Sequence, residues 1–151
     1  MNFNNFTIKS QEAVQEAVNS VQSHGQQAIE PVHLLAGVMK VGENVTNFIF
    51  QKLGMNGQQV ALVLDKQIES LPKVSGAEPY LSREANDVLQ RATQYAKDMG
   101  DEYVSLEQIV LALLNVKSTA STILKDAGMT EKELKSAITE LRKGEKVTSQ
   151  S

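Results

Sequence analysis

Two histidines, His24 and His33, are the side chains best suited to bind a metal or transfer a proton near neutral pH. Neither forms a His-x-x-x-His pair, and neither has a carboxylate at metal-site spacing on the same helical face. His33 lies in an apolar helical segment, which indicates a partly buried structural histidine. His24 precedes Gly25 at a predicted helix end, where a cation meets the negative end of the helix dipole. Both are predicted to be structural, and no metal is expected.

Other common catalytic motifs are also missing from the sequence. It contains no Gly-x-x-x-x-Gly-Lys-Ser/Thr, and Gly144-Glu145-Lys146 lacks both the upstream glycine and a preceding strand. No Gly-x-Ser-x-Gly is present, and without cysteine there is no thiol nucleophile. We therefore expect a non-catalytic segment with no cofactor of its own. A small helical enzyme using paired carboxylates is an alternative, and it would need a deep pocket where carboxylates converge.

Composition narrows the possible partners. The 151 residues are 41% hydrophobic and 22% charged, with a net charge of −3. The basic residues between positions 132 and 146 alternate with glutamates, which is typical of a solvated helix face and not of a nucleic-acid-binding patch. No apolar run reaches the roughly 20 residues of a membrane span, and no leader pattern follows Met1. These features predict a cytoplasmic protein that binds neither nucleic acid nor membrane.

The elements that must position any site are helices. Apolar residues recur every three or four positions from Ala13 to Val21, and Thr7 is a plausible N-cap for this first helix. Gly25 suits its C-terminus, since glycine adopts the left-handed conformation without strain. Pro31 predicts the start of a second helix. A third is expected over residues 45–53, and Asn56 could cap a fourth.

The same pattern then repeats at an offset of about 75 residues. Ser82 corresponds to Thr7 and Gly100 to Gly25, and the apolar positions of the first two helices also correspond. The sequence therefore predicts an all-α fold of two pseudo-twofold-related four-helix repeats packed into one domain over residues 1–144. The expected boundaries are residues 7–71 for repeat one, 72–81 for a linker and 82–143 for repeat two. Residues 145–151 are expected to begin a flexible linker.

Specific segments resemble a known family. Phe6-Thr7, Ile29-Glu30-Pro31-Val32-His33-Leu34-Leu35 and Leu53-Gly54-Met55 in the first half are similar to the Clp N domain, as are Gly100-Asp101-Glu102-Tyr103-Val104-Ser105 and Ile123-Leu124-Lys125-Asp126-Ala127-Gly128 in the second. Within that family, Lys9-Ser10-Gln11-Glu12-Ala13 and Leu71-Pro72-Lys73-Val74 look most like the ClpB branch of AAA+ disaggregases. The similarity extends over the whole chain.

This resemblance implies a chaperone role. The domain would bind exposed apolar segments of unfolded or aggregated polypeptides and would be a mobile part of a ClpB-type hexamer. ATP and Mg²⁺ would belong to ATPase modules outside this segment, and an Hsp70-type co-chaperone system would act through other domains. Two further alternatives remain: docking of a folded adaptor, as in ClpA- or ClpC-type unfoldases, and a spacer with no client, which the absence of an exposed apolar patch would favour.

The resemblance also suggests site residues. Carried over by motif position, they are Thr7, Asp101 and Glu107, with Tyr95 at the edge of an apolar stripe. Each has a structural interpretation as well. Thr7 could serve only as an N-cap, Asp101 could shape the loop after Gly100, and Glu107 suits a first helical turn. Tyr95 could be a half-buried core residue.

Two further features lie at predicted helix starts. Ser105 and Gln108 form a capping-box pattern at the start of a predicted helix. Phe3 and Phe6 are either exposed contacts or a staple onto the first helix.

Overall fold

The computed structural model describes residues 2–76 and 78–151. These residues contain eight helices, in two consecutive sets of four. The first half contains α1 (Ile8–Ser23), β1 (Ala28–Ile29), α2 (Pro31–Val41), α3 (Glu43–Lys52) and α4 (Gly57–Glu69). The second contains β2 (Tyr80–Leu81), α5 (Arg83–Asp98), α6 (Leu106–Asn115), α7 (Thr119–Asp126) and α8 (Glu131–Arg142). This confirms the predicted all-α fold of two four-helix repeats.

The predicted helix ends are largely confirmed. Thr7 Oγ1 accepts a hydrogen bond from the Ser10 backbone N–H at 3.1 Å, and Ser82 Oγ accepts the equivalent bond from Ala85 at 3.1 Å. Asn56 caps α4 through Gln59 in the same way. These bonds satisfy backbone donors that have no partner within the helix. The third helix begins at Glu43, slightly earlier than the apolar pattern predicts.

Helices α2 and α6 begin with the same capping contact, which different side chains make. In α6, Oε1 of Gln108 accepts from the backbone N–H of Ser105 at 2.9 Å, which confirms the predicted capping-box contact. In α2, Nδ1 of His33 accepts from the backbone N–H of Glu30, also at 2.9 Å. His33 and Gln108 are equivalent in the repeat, and both are fully buried. The histidine is therefore a structural residue, as predicted.

Short parallel pairings join the two halves, and the helical periodicity gave no sign of them. In β1 and β2, Ala28 pairs with Tyr80 and Ile29 with Leu81. A single bridge between Phe6 and Val104 is the repeat equivalent of the Ile29–Leu81 pair. Each half thus contributes short extended segments that pair with those of the other half. Pairings of one or two residues are too short to produce the alternating pattern that reveals strands.

The segments that leave α4 and α8 dock in matching ways. Lys73 Nζ donates to the backbone oxygen of His24 at 2.9 Å, and Lys146 Nζ donates to that of Met99 at 2.6 Å. His24 and Met99 are the C-cap residues of α1 and α5. The predicted boundaries at residues 72–81 and 145–151 remain predictions, but both segments make hydrogen bonds with the helical body.

One connected set of buried apolar side chains extends through both halves. Helix α6 lies at its centre: every residue from Leu106 to Leu114 is buried, and the helix contacts α1, α2 and α3 as well as α5, α7 and α8. Helix α2 packs closely on α1, because Gly37 approaches the backbone carbonyl of Ala13. Within the described residues, no helix has the length and apolar character needed to cross a membrane.

Candidate functional site

Three of the four predicted site residues lie at one end of the domain. Thr7 stands at the start of α1, and its backbone N–H donates to the carbonyl of Val104 at 3.0 Å. Val104 belongs to the loop between α5 and α6, which also carries Asp101. Glu107 follows in the first turn of α6. The Phe6–Val104 bridge therefore brings together parts of the chain that are about 100 residues apart in sequence.

Asp101 and Glu107 converge on one arginine at the end of α8. Arg142 donates from Nη1 to Asp101 Oδ2 at 2.6 Å, from Nε to Glu107 Oε2 at 2.8 Å and from Nη2 to Ser105 Oγ at 2.8 Å. The Asp101 side chain is fully buried, and that of Arg142 is only 9% exposed. We call Asp101, Ser105, Glu107 and Arg142 the arginine cluster.

The electrostatics of the arginine cluster favour the charged state. Burial alone would lower the pKa of Arg142, but the hydrogen bonds and negative charges of Glu107 and Asp101 outweigh burial and raise that pKa. Three guanidinium N–H groups have oxygen acceptors, which is the condition under which a buried charge is tolerated. The cluster thus ties α8 to the start of α6 and to the loop before it.

Asp101 has a partner for each carboxylate oxygen. Oδ2 accepts from Arg142 and from Nε2 of Gln108. Oδ1 accepts the backbone N–H of Val147 at 2.9 Å, so the carboxylate also holds the segment after α8. These contacts commit the carboxylate to structural bonds. The loop-shaping interpretation of Asp101 and the cap interpretation of Thr7 are therefore both correct, whatever further role these residues have.

The carboxylate enzyme suggested as an alternative gains no support from this arrangement. Asp101 and Glu107 do converge, but on a buried arginine and not around an open pocket. Within residues 2–76 and 78–151, no group of three or more histidine or carboxylate side chains is placed to hold a metal ion.

An apolar groove runs along α1 and includes Ile8, the residue after Thr7. It has a volume of about 440 Å³ and is bounded by Phe3, Ile8, Val14 and Val18, with Gln11, Glu12 and Gln15 as its polar lining. Ile8 at its end is 45% exposed, as large apolar residues are elsewhere in the described chain, for example Leu62 at 57%. We call this feature the α1 groove. The absence of exposed apolar surface that would favour the spacer hypothesis is therefore not found here.

The two phenylalanines before α1 have different roles. Phe6 is fully buried, so it belongs to the core and is not an exposed contact. Phe3 is partly buried and meets Phe6 edge to face, with 5.1 Å between ring centroids. This pair fixes the wall of the α1 groove immediately before Thr7.

Tyr95 does not join the other predicted site residues. It is half-buried, and its hydroxyl accepts from Nδ2 of Asn115 at 2.8 Å. Asn115 also donates to Glu131 at 2.6 Å. Asn115 ends α6 whereas Glu107 is near its start, so the two contacts lie at opposite ends of that helix. The prediction of Tyr95 as half-core describes its position well.

Arg142 is the central side chain that the sequence did not reveal as a site residue. In the linear sequence it is merely the last residue of an amphipathic helix with lysines and glutamates nearby. The repeat offered one signal: at the offset of 74 that holds for this part of the chain, Arg142 aligns with Ile68, a buried residue. A charge at a position that is apolar in the sister repeat indicates a buried ion pair.

The Clp repeat (R) N-terminal domain family matches residues 5–127. The chain belongs to this family. It is 87% identical over all 151 residues to the chaperone protein ClpB of Bacteroides thetaiotaomicron and 62% identical to ClpB of Porphyromonas gingivalis. It spans 18% of the length of each of these relatives. The predicted resemblance to the ClpB branch of the Clp N family is thereby confirmed.

Solved structures confirm the fold of this Clp N domain. The N-terminal domain of Hsp104 from Candida albicans superimposes with a TM-score of 0.83 at 21% identity and covers 98% of both chains. The N-terminal domain of ClpD from Arabidopsis thaliana gives a TM-score of 0.71 at 22% identity, covering 93% of this chain and 97% of that one. At this level of identity the likeness concerns the fold alone.

Proposed function

We propose that this Clp N domain binds exposed apolar segments of unfolded or aggregated polypeptides on behalf of a ClpB-type ATP-dependent disaggregase. The observation that carries the proposal is the α1 groove, an open apolar channel whose end residue Ile8 is 45% exposed and directly follows Thr7. A contiguous exposed apolar surface on a domain with an otherwise well-packed core is typical of an interaction site.

The groove suits many weak clients better than one tight partner. Its walls combine branched and aromatic apolar side chains with flexible glutamines, which can adapt to different sequences. We expect a dissociation constant on the order of tens of micromolar for one domain. Several copies around a ring would raise the apparent affinity by avidity.

In this proposal the predicted site residues have distinct roles. Thr7 caps the start of α1, which forms the α1 groove. Asp101 and Glu107 position the loop between α5 and α6 through the arginine cluster. Tyr95 would contact only a client long enough to reach the far end of α6.

The binding proposal can be tested by a two-dimensional NMR titration with reduced, carboxymethylated α-lactalbumin, which stays unfolded, and with the native disulfide-bonded form. We expect fast-exchange shifts confined to α1 and the residues before it, and only with the unfolded form. Shifts with the native form alone would contradict the proposal.

A matched pair of variants locates the site. Ile8→Ser removes an exposed apolar side chain from the α1 groove, and Leu62→Ser removes one that is 57% exposed on α4. We expect Ile8→Ser to weaken binding about three- to tenfold with little change in melting temperature, because the lost apolar contact is worth about 1 kcal/mol. Leu62→Ser should leave client binding unchanged. Parallel loss of folding and binding in Ile8→Ser would contradict the assignment.

Docking of a folded adaptor is the second candidate function, and a different surface favours it. A depression of about 710 Å³ lies between α2, α3 and α4, with Met39, Phe50 and Met55 in its lining. Leu62 and Val63 are exposed on α4 outside the lining of this depression. Loss of binding to a folded partner in Leu62→Ser, but not in Ile8→Ser, would support adaptor docking through α4.

The properties of the whole protein are part of the same proposal. The ATPase activity, with its ATP and Mg²⁺, would reside in modules other than this domain, and the hexamer and an Hsp70-type system would be further partners. A cytoplasmic location likewise remains a prediction from the sequence.

A further inference from the structure

The segment after α8 binds back onto the candidate site mainly through backbone atoms. The backbone oxygen of Val147 accepts from the N–H of Glu102 at 2.8 Å, and its N–H donates to Asp101 Oδ1 at 2.9 Å. The backbone oxygen of Gln150 accepts from the N–H of Ile8 at 2.7 Å. The segment therefore connects the loop before α6 with the first residue of α1.

Its side chains also bond to backbone oxygens of the helical body. Gln150 Nε2 donates to the carbonyls of Asn4 at 2.8 Å and Phe6 at 3.1 Å, and Lys146 Nζ donates to that of Met99. The backbone donors and acceptors that Val147 and Gln150 use are available to any extended polypeptide, whatever its sequence. Recognition through backbone hydrogen bonds is the means by which sheet edges bind varied peptides.

The first half shows how such a segment is held when it is part of the fold. There Val74 donates from its N–H to the oxygen of Gly25 at 2.8 Å, and Lys73 takes the place that Lys146 has in the second half. That segment continues into β2, which pairs with β1. Residues 145–150 contain no strand, so they are held by separate hydrogen bonds and not by a paired strand.

We propose that residues 145–150 act as an internal strap that competes with client polypeptides for the edge formed by residues 4–8 and 101–102. This proposal rests on the proposed function. Ile8 joins the two sites, because its side chain ends the α1 groove while its N–H is bound to the strap. A client lying in the groove can extend its main chain past Ile8 only where the strap has been released. Release frees Asp101 Oδ1 and the N–H groups of Ile8 and Glu102 to bind the client.

The strap can be tested by comparing the full chain with a variant that ends after Gly144, which retains Arg142 and all eight helices. Binding of carboxymethylated α-lactalbumin is measured by NMR for both. We expect the truncated variant to bind about three- to tenfold more tightly, since a tethered competitor has been removed. The N–H groups of Ile8 and Glu102 should also lose protection from hydrogen exchange.

Point variants give a matched control in the full chain. Gln150→Ala removes the two hydrogen bonds that the Gln150 side chain makes to the body, so it should tighten client binding in the same direction. Ser149→Ala should have no effect, because the only partner of its side chain among the described residues is Ser151. A synthetic peptide of residues 145–151, added to the truncated variant, should shift the N–H signals of Ile8 and Glu102 and displace the client.

The outcomes separate the two proposals. Equal client binding by the full and truncated chains would overturn the strap and leave the proposed function intact. Client binding by neither chain would overturn the proposed function, and the strap's role as a competitor with it. Client shifts that spare residues 4–8 and 101–102 in the truncated chain would also overturn competition.

Discussion

Arg142 is the residue whose replacement should affect the fold most, because it compensates two buried carboxylates. Arg142→Met would leave Asp101 and Glu107 without a cation, and we expect the free energy of unfolding to fall by about 3–5 kcal/mol. Urea denaturation at neutral pH measures this loss. Lys135→Met is the matched control on the same helix, since its ion pair with Glu131 is exposed and worth less than about 1 kcal/mol.

A triple variant distinguishes two causes of this loss of stability, the lost attraction to Arg142 and the two buried carboxylates left without a cation. If uncompensated carboxylates cause the loss, adding Asp101→Asn and Glu107→Gln to Arg142→Met should restore part of the stability. A triple variant less stable than Arg142→Met alone would contradict that explanation.

His33 should make stability depend on pH. Burial, and to a lesser degree the charge of His24, lowers its pKa from 6.5 to about 4. Nδ1 accepts from the Glu30 backbone N–H, and Nε2–H donates to Gln26 Oε1 at 2.8 Å. Protonation would place a second N–H opposite that of Glu30, so the folded protein holds the neutral ring.

Between about pH 4 and 6.5 the unfolded chain binds a proton at His33 that the folded chain does not, so stability falls as the pH drops through this window. The loss should reach about 2–3 kcal/mol at pH 4. His33→Gln copies the residue of the sister repeat, Gln108, and should flatten this slope in denaturation measured from pH 7 to 4. His24→Gln, the control, should retain most of it.

For individual residues, the sequence predicted local structural roles better than contacts between side chains that are distant in sequence. The N-caps at Thr7 and Ser82 and the buried state of His33 follow from local pattern, because each depends on neighbours within a few positions. The arginine cluster unites residues up to 41 positions apart, and only the folded chain specifies which carboxylates meet Arg142. The roles of Thr7, Asp101, Glu107 and Tyr95 in client binding stay predictions.

The contact between α1 and α2 depends on a residue with no side chain. An alanine at position 37 would press its Cβ against the backbone carbonyl of Ala13, which cannot move without shifting α1. Helix propensity favours alanine over glycine by about 1 kcal/mol, but overpacking costs about 1–3 kcal/mol. We expect Gly37→Ala to lower the melting temperature. A rise would show that α1 can shift freely.

Elements were predictable wherever helical periodicity was strong. Repeated apolar spacing and capping residues located the helices and revealed the repeat, since both signals are local. The β1–β2 pair and the Phe6–Val104 bridge were missed because their stability comes from the partner strand and not from their own sequence. Capping contacts at Ser105 were predicted, whereas the first turn of α3 was placed two residues late.

At the scale of the whole molecule, the buried helix α6 should make the halves unfold together. Leu113 is fully buried in a helix that contacts elements of both halves. Leu113→Ala should lower the free energy of unfolding by about 2–5 kcal/mol through the cavity it leaves. Hydrogen exchange should then show equal loss of protection in the slowest amides of α1 and α5. Loss confined to α5 would mean that the halves unfold independently.

The matching attachment of the segments after α4 and α8 means that the order of the two halves along the chain is not essential. Hydrogen bonds from Gln150 to Asn4 and Phe6 hold the two ends of the chain together. A circular permutant that begins at Glu78, joins Ser151 to Asn2 through a short glycine-serine bridge and stops at Gly76 would keep every helix whole. Its circular dichroism spectrum should match that of the parent. The covalent link between the two repeats could then follow either α4 or α8, while the chain is interrupted at the other position.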